Sequence, residues 1–174
     1  MKKSSQKKIA KAIAIIIAAM IFFLLGSATE RAFFRQQIQA AEEAFILQTD
    51  GYTKANVSIS LADLSFSSDC YRLTMTITND QAFSIFRGIQ KIVERPLTHD
   101  LIKDIIDGFE IKPIAARIEK AEDGLYYARL YLQKGGKVLA LDSRPSDIAG
   151  ISVRTGIPVY VKTEILQKNG TYIC

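Results

Sequence analysis

Two short polar clusters contain the residues of this chain that are best suited to chemistry. They are Arg95-Pro96-Leu97-Thr98-His99-Asp100 and Asp142-Ser143-Arg144-Pro145-Ser146-Asp147. Each cluster places an arginine, a proline, a hydroxyl and an acid immediately before an apolar periodic run. Proline fixes φ at a helix start, and a Ser or Thr side chain caps the first free N–H groups. The clusters therefore predict two helix N-termini, with Thr98 and Ser146 as the caps.

The arginines of these clusters are suited to bind a phosphate or a carboxylate. A guanidinium group matches the geometry of phosphate oxygens, and a helix N-terminus attracts negative charge. Arg95 and Arg144 are therefore the predicted phosphate ligands, with Thr98 and Ser146 beside them. The simpler interpretation is that these charges only satisfy their own helix ends or pair with neighbouring acids.

His99 is the only histidine of the chain. The dipole of a helix lowers the pKa of an imidazole in its first turn, which favours the neutral form. A neutral imidazole can act as a general base towards water or a 2′-hydroxyl. A hydrogen-bonded surface or interface histidine is the structural alternative. One histidine excludes a two-histidine mechanism within a single subunit, and a zinc site of nitrogen and sulfur ligands has too few donors.

Three acids of the clusters, Asp100, Asp142 and Asp147, are candidate ligands for Mg²⁺ or Mn²⁺. Such ions take carboxylate oxygens and activate water in hydrolytic enzymes. For each acid, the alternative is that it stabilises a helix start or pairs with an arginine. The predicted catalytic residues are His99, Asp100 and Asp147, provided that both clusters fold into one cleft open to solvent.

Three separated stretches around these clusters resemble the bifunctional nuclease (BFN) domain family. The resemblance continues after the second cluster and, more weakly, before the first. It implies a mixed α/β domain associated with cleavage of both RNA and DNA. In one departure, Gln81 stands where the family pattern has an acid. The matching stretches are residues 95–101, 123–130, 142–149 and 154–159, with weaker similarity from Val57 to Leu61 and from Asp80.

The charge distribution gives the domain that follows the lysine-rich N-terminus no general attraction for nucleic acid. The net charge is +5, but five of the 23 basic residues lie before residue 12, and the other 18 balance the 18 acids. A polyanion would therefore need a local basic patch. The available arginines are Arg95, Arg129, Arg144 and Arg154. DNA or RNA that is short or single-stranded remains compatible, because it needs few phosphate contacts.

The N-terminal segment has the composition of a membrane anchor. Residues 9–25 are apolar except for Lys11, which predicts a single-pass transmembrane helix. The five preceding lysines predict a cytoplasmic N-terminus and an extracytoplasmic domain. The small residues at 26–29 suit signal-peptidase cleavage, so secretion is the alternative. The predicted organisation is a basic tail and anchor at 1–28, a juxtamembrane helix at 29–50 and the nuclease-like domain at 55–170.

Hydrophobic periodicity predicts an α+β domain with a mixed, largely antiparallel sheet and helices packed on it. The strands cluster rather than alternate with helices. Residues 138–141 are apolar on both faces, which predicts a buried central strand. The predicted strands are residues 57–61, 73–77, 111–120, 125–133, 137–141 and 159–161, with the third to fifth runs as an antiparallel meander closed at 123–124 and 135–136. The predicted helices begin at Asn79 or Asp80, at Thr98 and at Pro145.

Cysteine and tyrosine positions add two further expectations. Cys70 and Cys174 would face an oxidising compartment, where a bridge can form, but two unpaired thiols are the simpler prediction. Strand alternation puts Tyr127 and Tyr131 on one face and Tyr126 on the other. Tyrosines can stack on bases, but packing in a core or an interface is the favoured interpretation for all three, most clearly for Tyr126.

Two hypotheses for function follow. The first is a membrane-anchored nuclease that hydrolyses phosphodiester bonds in DNA or RNA, with Mg²⁺ or Mn²⁺ as its cofactor. The second is a non-catalytic module in which the same clusters bind a small anion or form a homo-oligomer interface. The nuclease hypothesis rests on the resemblance, whereas the balanced charge of the domain favours the second.

Overall fold

The structure, a computed structural model, describes residues 49–92 and 94–174 together with Gly26, Glu30, Arg31 and Phe33. The chain forms two compact units, Met1–Ala41 and Glu42–Cys174. The predicted anchor at 9–25 and nearly all of the predicted juxtamembrane helix lie outside the described residues. Within the described part of the chain, no helix is both long and apolar enough to cross a membrane.

The described residues of the second unit form eight strands and four helices. The strands are β1 Tyr52–Ser60, β2 Asp63–Ser67, β3 Tyr71–Thr76, β4 Lys112–Glu122, β5 Leu125–Lys134, β6 Lys137–Ser143, β7 Val159–Lys162 and β8 Thr171–Tyr172. The helices are α1 Asn79–Gln90, α2 Thr98–Gly108, α3 Pro145–Thr155 and α4 Thr163–Asn169.

The strands make one mixed sheet in the order β6-β5-β4-β7-β1-β2-β3-β8. All neighbours are antiparallel except β4 and β7, which are parallel. Parallel neighbours need a crossover connection, and the segment from β4 to β7 includes α3. The prediction of an α+β fold with a largely antiparallel sheet is confirmed, as is the β4-β5-β6 meander.

One hydrophobic core lies between a face of the sheet and the helices, each of which contributes to it. The helices supply Ile85, Ile106, Ile148 and Leu166. Along β5, alternate residues starting at Ala128 enter this core, so Arg129 and Tyr131 lie on the opposite face, as predicted. Tyr126 packs against the core, also as predicted.

The prediction that residues 138–141 form a central strand is wrong, because β6 is the edge strand of the sheet. After β6 the chain leaves the sheet to form α3, and the next strand, β7, pairs with β4 instead. The apolar residues of β6 are therefore left largely exposed, with Leu139 at 54%. Three short elements, β2, α4 and β8, were not predicted, since their five, seven and two residues show too little periodicity.

The prediction of two unpaired thiols is also wrong. Cys70 and Cys174 form a disulfide that joins residues 104 positions apart, with their Cα atoms 4.9 Å from each other. Pairing of β8 with β3 brings the two cysteines together, because Tyr71 and Tyr172 are opposite each other in that pair. Their rings also meet edge to face, with centroids 5.4 Å apart.

Candidate functional site

The start of α2 is held by an acid rather than by the predicted hydroxyl. Leu97, in extended conformation, is the N-cap, and Asp100 Oδ2 accepts a hydrogen bond from the Leu97 N–H at 2.8 Å. Thr98 is the first helical residue, one position too late to act as the cap. The acid at the third helical position thus satisfies the backbone at the cap, which is one half of a capping box.

The start of α3 repeats this arrangement. Arg144 is the N-cap, Pro145 follows at the first helical position, and Asp147 Oδ2 accepts from the Arg144 N–H at 3.3 Å. Ser146 is buried, and it accepts a hydrogen bond from Gln81 Nε2 at 3.1 Å instead of capping α3. Gln81 also forms a capping box with Thr78, which is the N-cap of α1 in place of the predicted Asn79 or Asp80.

The two clusters meet at His99. A Cβ built on Gly150 of α3 would stand 2.5 Å from His99 Nε2, so only glycine leaves room for the ring. On its other side, His99 Nδ1 and the Ser84 hydroxyl of α1 form a hydrogen bond of 2.8 Å. His99 is only 5% exposed. The imidazole therefore lies between three helices, where it holds them together.

Arg154, near the end of α3, links the same three helices. Its Nε donates to Asp100 Oδ1 of α2 at 2.6 Å, and its Nη1 donates to the Gly150 carbonyl at 2.9 Å. Its Nη2 donates to the Ser84 carbonyl of α1 at 3.0 Å and to the Ser84 hydroxyl at 3.3 Å. The Arg154 side chain is 4% exposed. Because Arg154 only donates to Ser84, the hydroxyl proton of Ser84 is available to donate to His99.

These contacts set the charge states of His99 and Asp100. Burial lowers the pKa of His99, and the positive charge of Arg154 lowers it further, while Asp147 and Asp100 oppose the shift. The hydrogen bond from Arg154 holds the pKa of Asp100 below its ordinary value, against a smaller effect of burial. At neutral pH the network therefore contains a neutral imidazole and a carboxylate paired with a guanidinium.

The lowered pKa of His99 predicts a stability that falls with acidification. Because the unfolded chain takes up a proton near pH 6.5 and the folded chain resists it, the stabilisation is complete above that pH and is lost below it. We expect the free energy of unfolding to fall between about pH 7.5 and pH 5.5, by at most about 1.4 kcal/mol per unit. Urea unfolding at several pH values measures this.

The control for that measurement is the His99→Gln variant, whose profile should be flatter over the same range. Asp100 does not interfere, since its lowered pKa affects stability only as the pH falls through the unfolded value of about 4. Equal slopes in the wild type and the variant would contradict the assignment.

The exposed part of the site is made by Arg144 and Asp147, and Arg95 is exposed before the start of α2. Arg144 Nε and Nη2 donate to the two carboxylate oxygens of Asp147 at 2.9 and 3.1 Å, and this pairing raises the pKa of Arg144. The Arg144 side chain is 71% exposed and that of Asp147 is 35% exposed. Arg95 is exposed, and its carbonyl accepts a hydrogen bond from Arg87 Nη1 at 3.3 Å.

The three predicted metal ligands are not gathered together. Asp100 is bound by Arg154 and the Leu97 N–H, and both oxygens of Asp147 are bound by Arg144. Asp142 is opposite Arg129 in the β5–β6 pair, on the face of the sheet away from the core. Within residues 49–92 and 94–174, no three His, Cys, Asp or Glu side chains are grouped to hold a metal ion. These donors do not fit a Mg²⁺ or Mn²⁺ site.

Arg129 and Tyr131 belong to a separate cluster on that second face. Glu119 accepts a hydrogen bond from the Tyr131 hydroxyl at 2.5 Å and pairs with Arg129 Nε at 3.1 Å. Arg117 lies against the rings of Tyr52 and Tyr131, 4.9 and 5.3 Å from their centroids. Burial, followed by the bond to Glu119, raises the pKa of Tyr131 to about 12. None of the residues in this cluster belongs to the starts of α2 and α3.

Sequence reasoning missed the linking roles of Arg154 and Ser84. Arg154 was predicted only as part of a basic surface patch, and Ser84 was not singled out. One available signal was the four-residue spacing of Gly150 and Arg154, which puts them on the same side of α3. The partner of Arg154, Asp100, is 54 positions away, so the pairing itself leaves no local pattern.

The fold and the site together define a class of protein: an α+β domain in which two arginine-proline helix starts meet on a layer of helices over a mixed sheet. A family model described as the bifunctional nuclease domain matches residues 64–173, well over half of the 174 residues. The chain belongs to the bifunctional nuclease domain family.

Individual relatives match a smaller part of the chain. An uncharacterized protein of Mycobacterium tuberculosis is 42% identical over 81 residues, which are 45% of this chain and 46% of that protein. Bifunctional nuclease 2 of Oryza sativa subsp. japonica is 34% identical and bifunctional nuclease 1 of Arabidopsis thaliana is 31% identical, each over 83 residues. Both alignments cover 45% of this chain and 25% of the plant protein. The chain thus spans less than half the length of these relatives.

Proposed function

We propose that this domain is a nuclease that hydrolyses phosphodiester bonds in short or single-stranded DNA or RNA. One observation carries the proposal: α2 and α3 pack against each other near their starts, around the buried His99. This packing places the exposed Arg144–Asp147 pair next to the buried hydrogen-bond network of His99, Asp100 and Arg154. Membership of the bifunctional nuclease domain family supports the reaction class.

Arg144 is the phosphate ligand in this proposal. Its guanidinium fork is exposed, and it stands at the N-terminus of an 11-residue helix, where negative charge is favoured. Arg95, exposed before α2, is a second phosphate ligand on a flexible side chain. Two arginines can bind only a few phosphates, which is enough for a short or single-stranded substrate. This agrees with the balanced charge after residue 12.

Asp147 is the proton acceptor. When Arg144 turns to a phosphate, it releases the Asp147 carboxylate, which then takes a proton from the attacking water or 2′-hydroxyl. The new oxygen–phosphorus bond forms as the bond to the leaving oxygen breaks, and that oxygen takes a proton from solvent. His99, Asp100 and Arg154 are positioning residues, since their contacts hold the two helix starts in place.

Cleavage of labelled single-stranded DNA and RNA tests this assignment. We expect Arg144→Ala to lower kcat/KM by about 30- to 100-fold, the value of a charge-assisted phosphate contact. We expect Asp147→Asn to lower kcat by about 10²- to 10⁴-fold, as for loss of a general base. Arg129→Ala is the matched control, because this arginine is also exposed but lies on the other face, and it should keep the wild-type rate.

Each assay should be run with Mg²⁺, with Mn²⁺ and with a chelator, so that a metal requirement is measured directly. Wild-type rates in both Arg144→Ala and Asp147→Asn would contradict the proposed site. A wild-type protein that binds the oligonucleotides through Arg144 without cleaving them would instead support the non-catalytic anion-binding module. The burial of His99 and the pairing of both acids with arginines favour that second candidate.

We further propose that the domain lies outside the cytoplasm, anchored through residues 9–25. The Cys70–Cys174 disulfide supports this proposal, because such bonds persist in oxidising compartments. The test is to block free thiols with an alkylating reagent in intact native cells before reduction. Both cysteines should be protected, and alkylation of Cys70 and Cys174 would contradict the proposal.

A further inference from the structure

The edge strand β6 has the composition of a strand that is covered on both sides. Its four central residues, Val138 to Leu141, are all apolar, yet Leu139 is 54% exposed and Leu141 is 38% exposed. No other described strand pairs with the outer side of β6. Edge strands of monomeric proteins are usually protected by charges, prolines or bulges at such positions. β6 lacks this protection along its apolar centre.

The neighbouring helix α2 has an apolar flank that is also uncovered. Leu101, Ile105 and Phe109 are spaced by four residues on one side of α2, and each is about half exposed or more. His99 contacts α3 from a different side of the helix. The Phe109 ring lies 5.6 Å from Lys134 Nζ, at the hairpin that joins β5 to β6. The Phe109 end of the α2 flank therefore adjoins the start of the edge strand.

We infer that a second copy of this chain covers both features by adding its own β6 antiparallel to the first. A two-fold axis perpendicular to the sheet generates this pairing and makes the interface isologous. In the register with Ala140 opposite Ala140, Leu139 of each copy meets Leu141 of the other. Both leucines lie on the helix face, because Leu139 is opposite the core residue Leu132 of β5.

Charge and area favour a second copy as the occupant. Lys137 begins β6 on its helix face, so antiparallel pairing in this register keeps the two Lys137 side chains at opposite ends of the contact, whereas an in-register parallel pair would align like charges. The five exposed apolar side chains offer roughly 500 Å² per copy, before the backbone edge is added; a standard interface buries about 800 Å² per partner. Two copies together therefore bury roughly 1,000 Å² of apolar side chain, about the least that a specific interface needs.

The pairing also supplies a residue to the substrate surface, a consequence that rests on the proposed function. In the same register Lys137 of one copy is opposite Ser143 of the other, next to Arg144. The second copy thus adds a cation beside the phosphate ligand. We expect Lys137→Ala to lower the cleavage rate several-fold while the dimer persists. The oligomer measurements below do not depend on cleavage, so the two proposals can fail separately.

Cysteine cross-linking tests the register. Because the two native cysteines are bonded to each other, Ala140→Cys introduces a single free thiol. Opposite residues of antiparallel strands have Cα atoms about 4.5–5.5 Å apart, a separation that a disulfide spans. Oxidation of the full chain with diamide should give a covalent dimer quickly. Thr74→Cys, exposed on β3, is the control and should cross-link slowly.

Mass measurements on the full chain, kept in detergent, test the interface itself. Light scattering over a dilution series should give the mass of two chains for the wild type. Leu139→Asp and Leu101→Glu should each give one chain, whereas Leu125→Glu, equally exposed but at the β4–β5 turn, should remain a dimer. A wild-type monomer at every concentration, or a dimer that survives Leu139→Asp and Leu101→Glu, would overturn the inference.

Discussion

Replacing Arg154 with alanine is expected to lower the free energy of unfolding by about 3 to 5 kcal/mol, as measured by urea denaturation. The substitution leaves the Asp100 carboxylate without its cation and removes the donors to two helix carbonyls, those of Gly150 and Ser84. Groups that lose their partners without regaining water are the most costly to leave unpaired.

Two further variants distinguish the hydrogen bonds of Arg154 from the effect of its positive charge alone. Arg154→Lys keeps the charge but cannot reproduce the fork, so most of the loss should remain. Arg144→Ala removes an arginine of the same helix whose side chain is 71% exposed, and it should cost no more than about 1 kcal/mol. Equal losses in Arg154→Ala and Arg144→Ala would refute the linking role.

Reduction of the Cys70–Cys174 disulfide is expected to lower the free energy of unfolding by about 2 to 5 kcal/mol. The bond closes a loop of 104 residues, which restricts the unfolded chain strongly. Thermal unfolding with and without a reductant measures the effect. The Cys70→Ser/Cys174→Ser double variant should match the reduced protein and should not respond to reductant; an unchanged Tm on reduction of the wild type would contradict the prediction.

The elements that carry their own local signal could be predicted from the sequence. Pro145 and Gly156 bracket α3, and the glycine turns at 123–124 and 135–136 delimit the meander. The two helix starts were found for the same reason. The caps within them were misassigned: Leu97 and Arg144 are the N-caps, and the acids Asp100 and Asp147 bind their N–H groups. The Ser146 hydroxyl instead accepts from Gln81 of another helix, a contact with no local sequence signal.

Features that depend on distant residues could not be predicted. The Arg154–Asp100 pair and the Cys70–Cys174 bond join positions 54 and 104 apart, and neither leaves a periodic trace. The edge position of β6 is a property of strand order, which the β7–β4 pairing decides. Of the predicted site residues, His99, Asp100, Arg144, Ser146 and Asp147 are gathered around the meeting helices, and Asp142 is not.

Two glycines inside helices limit which substitutions this chain can accept. A Cβ on Gly88 would stand 2.5 Å from Val153 Cγ2 and 2.6 Å from Arg154 Nη1, just as one on Gly150 would crowd His99. Glycine weakens a helix by about 1 kcal/mol relative to alanine. In return, each of these glycines leaves room for a buried side chain of a neighbouring element. In this chain, positions 99 and 150 therefore constrain each other: a larger residue at position 150 leaves no room for the imidazole, and one at position 88 would displace Val153 and Arg154.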